Sequence, residues 1–182
     1  QKGVCPRYVM SLEENMGGAG GFYHGMKMAQ EMESADWIWV ADDDAFPELN
    51  ALELAEKFAN QHLKLINEAA ALCGMCEYEG RIASVQRIRL IKTIFGTQEM
   101  PVKKSEFTKE YFDIDMYSFV GTMIRRDVLQ RAGLPRKDFF IYQDDLEHAI
   151  RVGKFGRILC VPSIVIHHKD NYMYGDKVTW RD

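Results

Sequence analysis

The chain is expected to fold as an α/β domain with a mostly parallel central sheet, and three observations point there. Apolar runs such as "DWIWVADDD" (36–44), "EAAALCGMC" (68–76) and "RILCVPSIVIHH" (157–168) are hydrophobic along their full length, not at every second residue. Strands of that kind are covered on both faces. Stretches of helical periodicity alternate with them, as in βαβ units. At 182 residues, 47% hydrophobic and 27% charged, the chain has the length and composition of one globular domain with a sizeable core.

In chain order, "RYVM" (7–10) has the character of a short strand leading into the glycine-rich "NMGGAGGFYHGM" (15–26). That stretch has four glycines within five positions, Gly17, Gly18, Gly20 and Gly21, and the density suggests a tight strand-to-helix turn. It is neither a Walker loop nor a dinucleotide fingerprint, since no glycine precedes Lys-Ser/Thr and the G-x-G-x-x-G spacing fails. Missing side chains there make room for a ligand, with the N–H groups of the helix start facing it. Phe22, Met26 and Ala29 follow at helical spacing, so a helix is expected from Gly21 to about residue 33. The strand at 36–44 is stopped by Pro47. "ALELAEKFANQHLKLI" (51–66) predicts one helix, and 68–76 a buried strand. Residues 78–112 are polar, mixed and without a clear period. A strand over 116–126, a short helix over 127–133 ended by Gly133 and Pro135, a helix over 143–156 and a strand over 157–168 complete the chain.

Several function classes are excluded or left without support. Net charge is −4 and the basic residues are scattered, which argues against a nucleic-acid surface. No apolar run approaches the roughly 18 residues of a membrane span, and "QKGVCPRYVM" has no signal-peptide pattern. Cys73 and Cys76 form a lone C-x-x-C inside an apolar run, which suits a buried strand better than zinc; a reduced, cytoplasmic setting fits. Because the chain starts at Gln1 and closes on "KVTWRD", it is expected to be a piece of a longer protein.

The sharpest chemical signal is "WVADDDAF". Ligands of open α/β sheets sit beyond the carboxyl ends of the strands. Alternation places Asp42 and Asp44 on one face and sends Asp43 away. Adjacent carboxylates repel one another unless a cation is present. Oxygen ligands favour Mg²⁺ or Mn²⁺, which bind a substrate diphosphate as well. The plainer alternative is a solvated acidic turn with Asp44 capping the next helix. A second acidic group opens the helix in "FFIYQDDLEHAIR". Asp144 and Glu147 have the spacing of a capping box. Leu146, Ala149, Ile150 and Gly153 are expected on the buried face, which leaves Asp145 free to act as general base. His167 and His168 end the last strand on opposite faces, so at most one can join the carboxylates as a metal ligand.

Taken together, "NMGGAGGFYHGM", "DWIWVADDDAFP", "SFVGTMIRRDVLQRAGLPRKDFFIYQDDLEHAIRVGKFG" and "VPSIVIHHK" resemble, in order and over about residues 10 to 170, the family 2 glycosyltransferases of the GT-A fold. The nearest likeness is to the rhamnosyltransferase and bacterial galactofuranosyltransferase branch. The resemblance implies that residues 1–182 form a single, partial GT-A domain lacking the family's first strand and helix. It implies a D-x-D motif with Asp42 and Asp44 around a Mg²⁺ or Mn²⁺ ion and the donor diphosphate. It further implies Asp145 as the base and His168, six residues after Pro162, as a metal ligand. Donor-side candidates are Asn15, Gly18, Gly20, Gly21, Asp42 and Asp43; acceptor-side candidates are Phe119, Gly121, Asp144 and Glu147. Aromatic segments at Tyr111–Phe112, Tyr117–Phe119 and Phe139–Tyr142 either floor an acceptor site or fill the core.

The implied activity is inverting, metal-dependent transfer of a sugar from a nucleotide-diphosphate-sugar donor to a glycan or lipid-linked glycan acceptor. The expected setting is cell-surface polysaccharide synthesis, in the cytoplasm or at the inner face of the membrane with peripheral association of the full-length protein. The alternatives are a non-catalytic nucleotide-sugar-binding fragment and a Mg²⁺-dependent nucleotidyltransferase or phosphohydrolase.

Overall fold

The computed structural model describes residues 8–32, 35–94 and 96–169. Helix α1 (Gly17–Glu31) takes in the whole glycine block, so those glycines are helical residues and not a turn ahead of the helix. Tyr8–Met10 are exposed and form no strand, since no neighbouring strand among the described residues offers them a ladder; Arg7 lies outside the described residues.

Strand β1 (Trp37–Val40) stops before the aspartates, because a turn closed by the Ala45 N–H on the Asp42 carbonyl (3.2 Å) intervenes. Pro47, expected to end that strand, instead lies in the short strand β2 (Ala45–Pro47), at the edge of the sheet where a missing N–H costs nothing. The expected helix over 51–66 is two helices, α2 (Ala51–Gln61) and α3 (Leu63–Glu68). The break is at His62 (φ −127°, ψ 44°), whose Nε2 lies 2.9 Å from Glu110 Oε1. Strand β3 (Ala69–Tyr78) follows where expected. The unassigned region contains β4 (Arg81–Ile82) and a hairpin of β5 (Arg87–Thr93) and β6 (Gly96–Pro101), followed by β7 (Phe112–Ile114). The strand expected over 116–126 is interrupted: β8 (Met116–Tyr117) and β9 (Thr122–Arg125) flank Gly121, which sits at φ +67° hard against the Ile166 side chain. Helix α4 (Arg126–Ala132) is ended by Gly133 at φ +81°, then come α5 (Asp144–Val152) and β10 (Arg157–His168).

The main sheet has the order β1-β9-β3-β10-β2, with β4 beside β3 and β7 beside β10. The α/β class is as expected, but among the described strands only β3 and β10 pair in parallel. Strands β1, β3 and β10 point the same way, and β9 inserts antiparallel between β1 and β3. A continuous apolar run records burial on both faces and carries no information about direction. Met26 of α1, Leu129 of α4 and Val152 of α5 pack on one side of the sheet, and Phe58 of α2 and Leu65 of α3 on the other. Cys73 and Cys76 are buried in β3 as free thiols, and burial pushes the Cys76 thiol up to about 11.

A second sheet has the order β6-β5-β8, and where it meets the main sheet Arg87 is fully buried, with no carboxylate among its described partners. Its guanidinium donates to the carbonyls of Gly74 (2.9 Å), Gln86 (2.7 Å) and Val120 (2.8 Å) and to Ser118 Oγ (3.3 Å).

Candidate active site

Antiparallel pairing of β2 with β10 sets His168 opposite Ala45, directly after the acidic turn. His168 Nε2 lies 3.2 Å from Asp44 Oδ1, and one ligand atom each from Asp42, Asp44 and His168 fall within 4.8 Å of one another. His167 is turned away, with its ring nitrogens 3.4 Å from Glu48 and 3.6 Å from Glu77. Asp42 and Asp44 do share a side, but the turn after β1 puts them there, since the extended strand has already ended. Asp44 caps no helix: α2 begins at Ala51, with Asn50 before it. Burial, reinforced by Asp44, Asp43 and Asp144 and opposed by His168, pushes the Asp42 carboxyl up to about 6.

A cavity of about 450 Å³ joins this cluster to the start of α5. Its wall carries Asp42, Asp43, Asp44 and His168 together with Asp144 and Asp145, while Gly18, Phe119 and Ser118 contribute elsewhere. That volume is in the range of small-ligand sites. A second cavity of about 450 Å³, between α1 and β1, shares Gly18, Phe22, Asp42 and Asp43 with it and adds Gly21.

Helix α5 does not open on a capping box. Gln143, in the left-handed region, precedes it without a side-chain cap, and Glu147 forms a bidentate pair with Arg151 (2.7 and 2.8 Å). An arginine four residues on offers a carboxylate two matched donors, which a lone backbone N–H cannot equal. The buried face also differs from expectation: Asp144, His148, Ala149 and Val152 are buried, and Ile150 is 43% exposed. His148 Nε2 lies 3.0 Å from the Gly133 carbonyl, which can only accept, so Nε2 carries the proton and Nδ1 accepts from the Tyr117 hydroxyl at 2.9 Å. Burial, aided by Arg151, lowers the His148 pKa to about 4. Arg151 also donates to the carbonyls of Ala132, Gly133 and Leu134. Asp145 accepts from the Leu146 N–H (2.8 Å), and burial pushes its carboxyl up to about 6, with Asp144 adding to the rise. A carboxyl held near neutrality beside a cavity is suited to proton transfer.

Other candidate residues are not brought to the cavities. Gly121 packs under Ile166, Glu147 is engaged by Arg151, and Gly20 is buried against Met16. Asn15 Oδ1 accepts from the Gly17 N–H at 3.0 Å. The N–H groups of Ala19 and Gly20, expected to face a ligand, bond to the carbonyls of Phe140 and Met16. Phe112 and Tyr117 belong to the core, whereas Phe119, packed in the same core, does reach the wall of the acidic cavity. Sequence reasoning missed Arg87 and His148; a histidine three residues after Asp145 on one helix was the available signal for the second, while Tyr117 was named only as an acceptor-floor or core aromatic.

No protein-family model matches the chain. It is 29% identical over 151 residues to the galactofuranosyltransferase GlfT1 of Mycolicibacterium smegmatis, across 83% of this chain and 49% of that protein. The galactofuranosyltransferase GlfT1 of Mycobacterium tuberculosis is 29% identical over 153 residues, 84% of this chain and 48% of that one. The chain thus spans about half the length of the curated relatives it matches. Among solved structures, GalNAc-T7 with UDP, GalNAc and Mn²⁺ superposes with a TM-score of 0.60 at 12% identity, over 87% of this chain and 31% of that one. TarS of S. aureus gives 0.59 at 14% identity, over 87% and 25%.

Proposed function

We propose, from the family 2-like glycosyltransferase assignment and the GT-A fold that the relatives and fold neighbours support, that the chain carries the centre of an inverting, metal-dependent sugar transferase. The donor is a nucleotide-diphosphate-sugar, with galactofuranose the leading sugar from the relatives' names, and the acceptor is a glycan or lipid-linked glycan. The observation that carries this reading is the meeting of two acidic groups from separate elements, Asp42 and Asp44 after β1 and Asp145 on α5, around one cavity.

Asp42, Asp44 and His168 fit a Mg²⁺ or Mn²⁺ ion: two carboxylates and an imidazole converge within 4.8 Å. These three residues would hold the ion and leave it open to water and the donor diphosphate. When bound, the ion supplies Lewis-acid neutralisation of the departing diphosphate. Asp145, ionised, takes the proton of the acceptor hydroxyl as that oxygen bonds to the anomeric carbon and the carbon–phosphate oxygen bond breaks. A base and diphosphate holders on different elements fit attack from the side of the sugar opposite the departing diphosphate, a single displacement that would invert the anomeric centre. Gly18 and Gly21 keep the α1 wall free of side chains where the donor passes.

No described helix is long and apolar enough to cross a membrane. A cytoplasmic site of action, with peripheral association of the full-length protein at the membrane, is part of the same reading.

Calorimetric titration of the full-length protein with nucleoside-diphospho-sugars, with and without Mn²⁺, tests it. Mn²⁺-dependent binding together with transfer abolished in Asp145→Asn is the expected result. Transfer unaffected by chelator rules out the metal, and near-normal transfer by Asp145→Asn rules out the base.

A further inference from the structure

The residues leading into α5 adopt a backbone that their side chains disfavour. Phe140 sits at φ 64°, ψ −61°, and the Ile141 N–H bonds to the Phe139 carbonyl at 2.7 Å. That is a γ-turn of the rare, strained hand. Tyr142 and Gln143 follow, both at φ 67°. Three non-glycine residues out of four thus have positive φ, a pattern that persists only where the surroundings enforce it.

Helix α1 enforces it. The Phe140 carbonyl accepts from the Ala19 N–H at 3.1 Å and lies against Gly17, where any side chain would overlap that oxygen. Gly17 is itself at φ +66°. The glycine therefore serves as a seat for the turn.

The turn holds Ile141 and Tyr142 on the wall of the acidic cavity, 54% and 63% exposed. Core packing gains nothing from this display, and strain is spent to keep two large side chains in water. Tyr142 stands three residues before Asp145 and lines the same cavity. A molecule giving its hydroxyl proton to Asp145 would occupy the cavity whose wall Tyr142 shares. A sugar has an apolar C–H face that an aromatic ring can shield from water while its hydroxyls stay with the carboxylates.

We propose that Tyr142 is an acceptor-binding residue that stacks on the sugar ring carrying the attacking hydroxyl, beside Ile141, in a turn seated on Gly17. The assignment rests on the transferase reading above.

Tyr142→Ala, Tyr142→Phe and Gly17→Ala are made in the full-length protein. Donor affinity is measured by calorimetry with UDP-galactofuranose, and acceptor and donor KM with a galactose-terminated oligosaccharide. Tyr142→Ala is expected to raise the acceptor KM about tenfold and leave the donor KM within about twofold. Tyr142→Phe, which keeps the ring, is expected to retain the wild-type acceptor KM. Gly17→Ala is expected to raise the acceptor KM at a thermal midpoint that still reports a folded protein. An unchanged acceptor KM in Tyr142→Ala, or equal rises in both KM values, overturns the assignment while intact donor binding leaves the transferase reading standing. Absence of nucleotide-sugar binding by the wild type overturns the reading, and the assignment with it.

Discussion

The Tyr117 hydroxyl donates to His148 Nδ1 at 2.9 Å in a fully buried site, and through it β8 holds the helix that carries Asp145. Tyr117→Phe removes the donor and leaves a buried ring nitrogen unsatisfied. A loss of roughly 1–3 kcal/mol is expected, read from urea denaturation midpoints. The double variant Tyr117→Phe/His148→Phe should lose less than the sum of the two single changes, because the orphaned group is then gone.

Asp145 gives opposite pH signatures in rate and stability. Its carboxyl, raised from 3.8 to about 6, acquires the basic form only as pH rises through about 6, so kcat/KM for transfer should climb between pH 5 and 7. For folding, a raised carboxyl means that the unfolded chain ionises first. The stabilising contribution is full below about 4 and is lost as pH rises through about 6. Asp145→Asn removes that penalty. The variant should therefore be more stable than wild type at pH 7.5 by on the order of 1–2 kcal/mol, with the gap closing below pH 4, as thermal melts across pH would record.

His148 has the reverse sign. Its pKa, lowered from 6.5 to about 4, makes the fold lose stability as pH falls from about 6.5 to about 4, by up to roughly 3 kcal/mol. His148→Gln should flatten that part of the stability profile, measured by denaturant titration at pH 7 and pH 4.5.

Loss of a proposed metal ligand should be selective between neighbours. Asp44→Ala and His168→Ala are expected to weaken Mn²⁺ binding at least about tenfold by electron paramagnetic resonance titration. His167→Ala, whose ring lies between Glu48 and Glu77, should leave it unchanged.

Arg87 should tolerate no substitution. Arg87→Met strands the carbonyls of Gln86 and Val120, next to the cavity, and should cost at least about 3 kcal/mol in chemical denaturation. Arg87→Lys should rescue little, since one ammonium cannot reach the same fork of acceptors.

Much of the fold was legible because burial leaves a direct mark on composition. Strand β10 runs over the residues its apolar run marks, and α4 stops at the glycine that marks its end. Strand direction was not legible: β9 is buried like β1 and β3 on either side but lies between them in reverse. The glycine block misled because glycine density usually signals a turn. Here Gly17 and Gly20 are required inside a helix by Phe140 and Met16, contacts that only the tertiary structure supplies. On α5 the periodicity favoured Ile150 for burial, whereas His148 is the residue buried, its polarity matched by Tyr117 and Gly133. At the acidic turn the residue types and spacing sufficed to group Asp42 with Asp44, although the turn and not strand alternation brings them together.

Strand β10 keeps register with β3 from Ile158 opposite Ala71 to Val161 opposite Gly74, then resumes with Val165 opposite Met75. Three residues, beginning with Pro162, are taken up at that irregularity. The bulge therefore sets the phase of everything after it. Without it the strand would reach the acidic turn at a different point of its two-residue alternation, and which histidine meets Asp44 would be decided anew. A one-residue deletion near Pro162 would thus act at a distance, putting Lys169 in the place of His168 beside Asp44 and His168 in the place of His167 near Glu77, with every ligand still present in the chain.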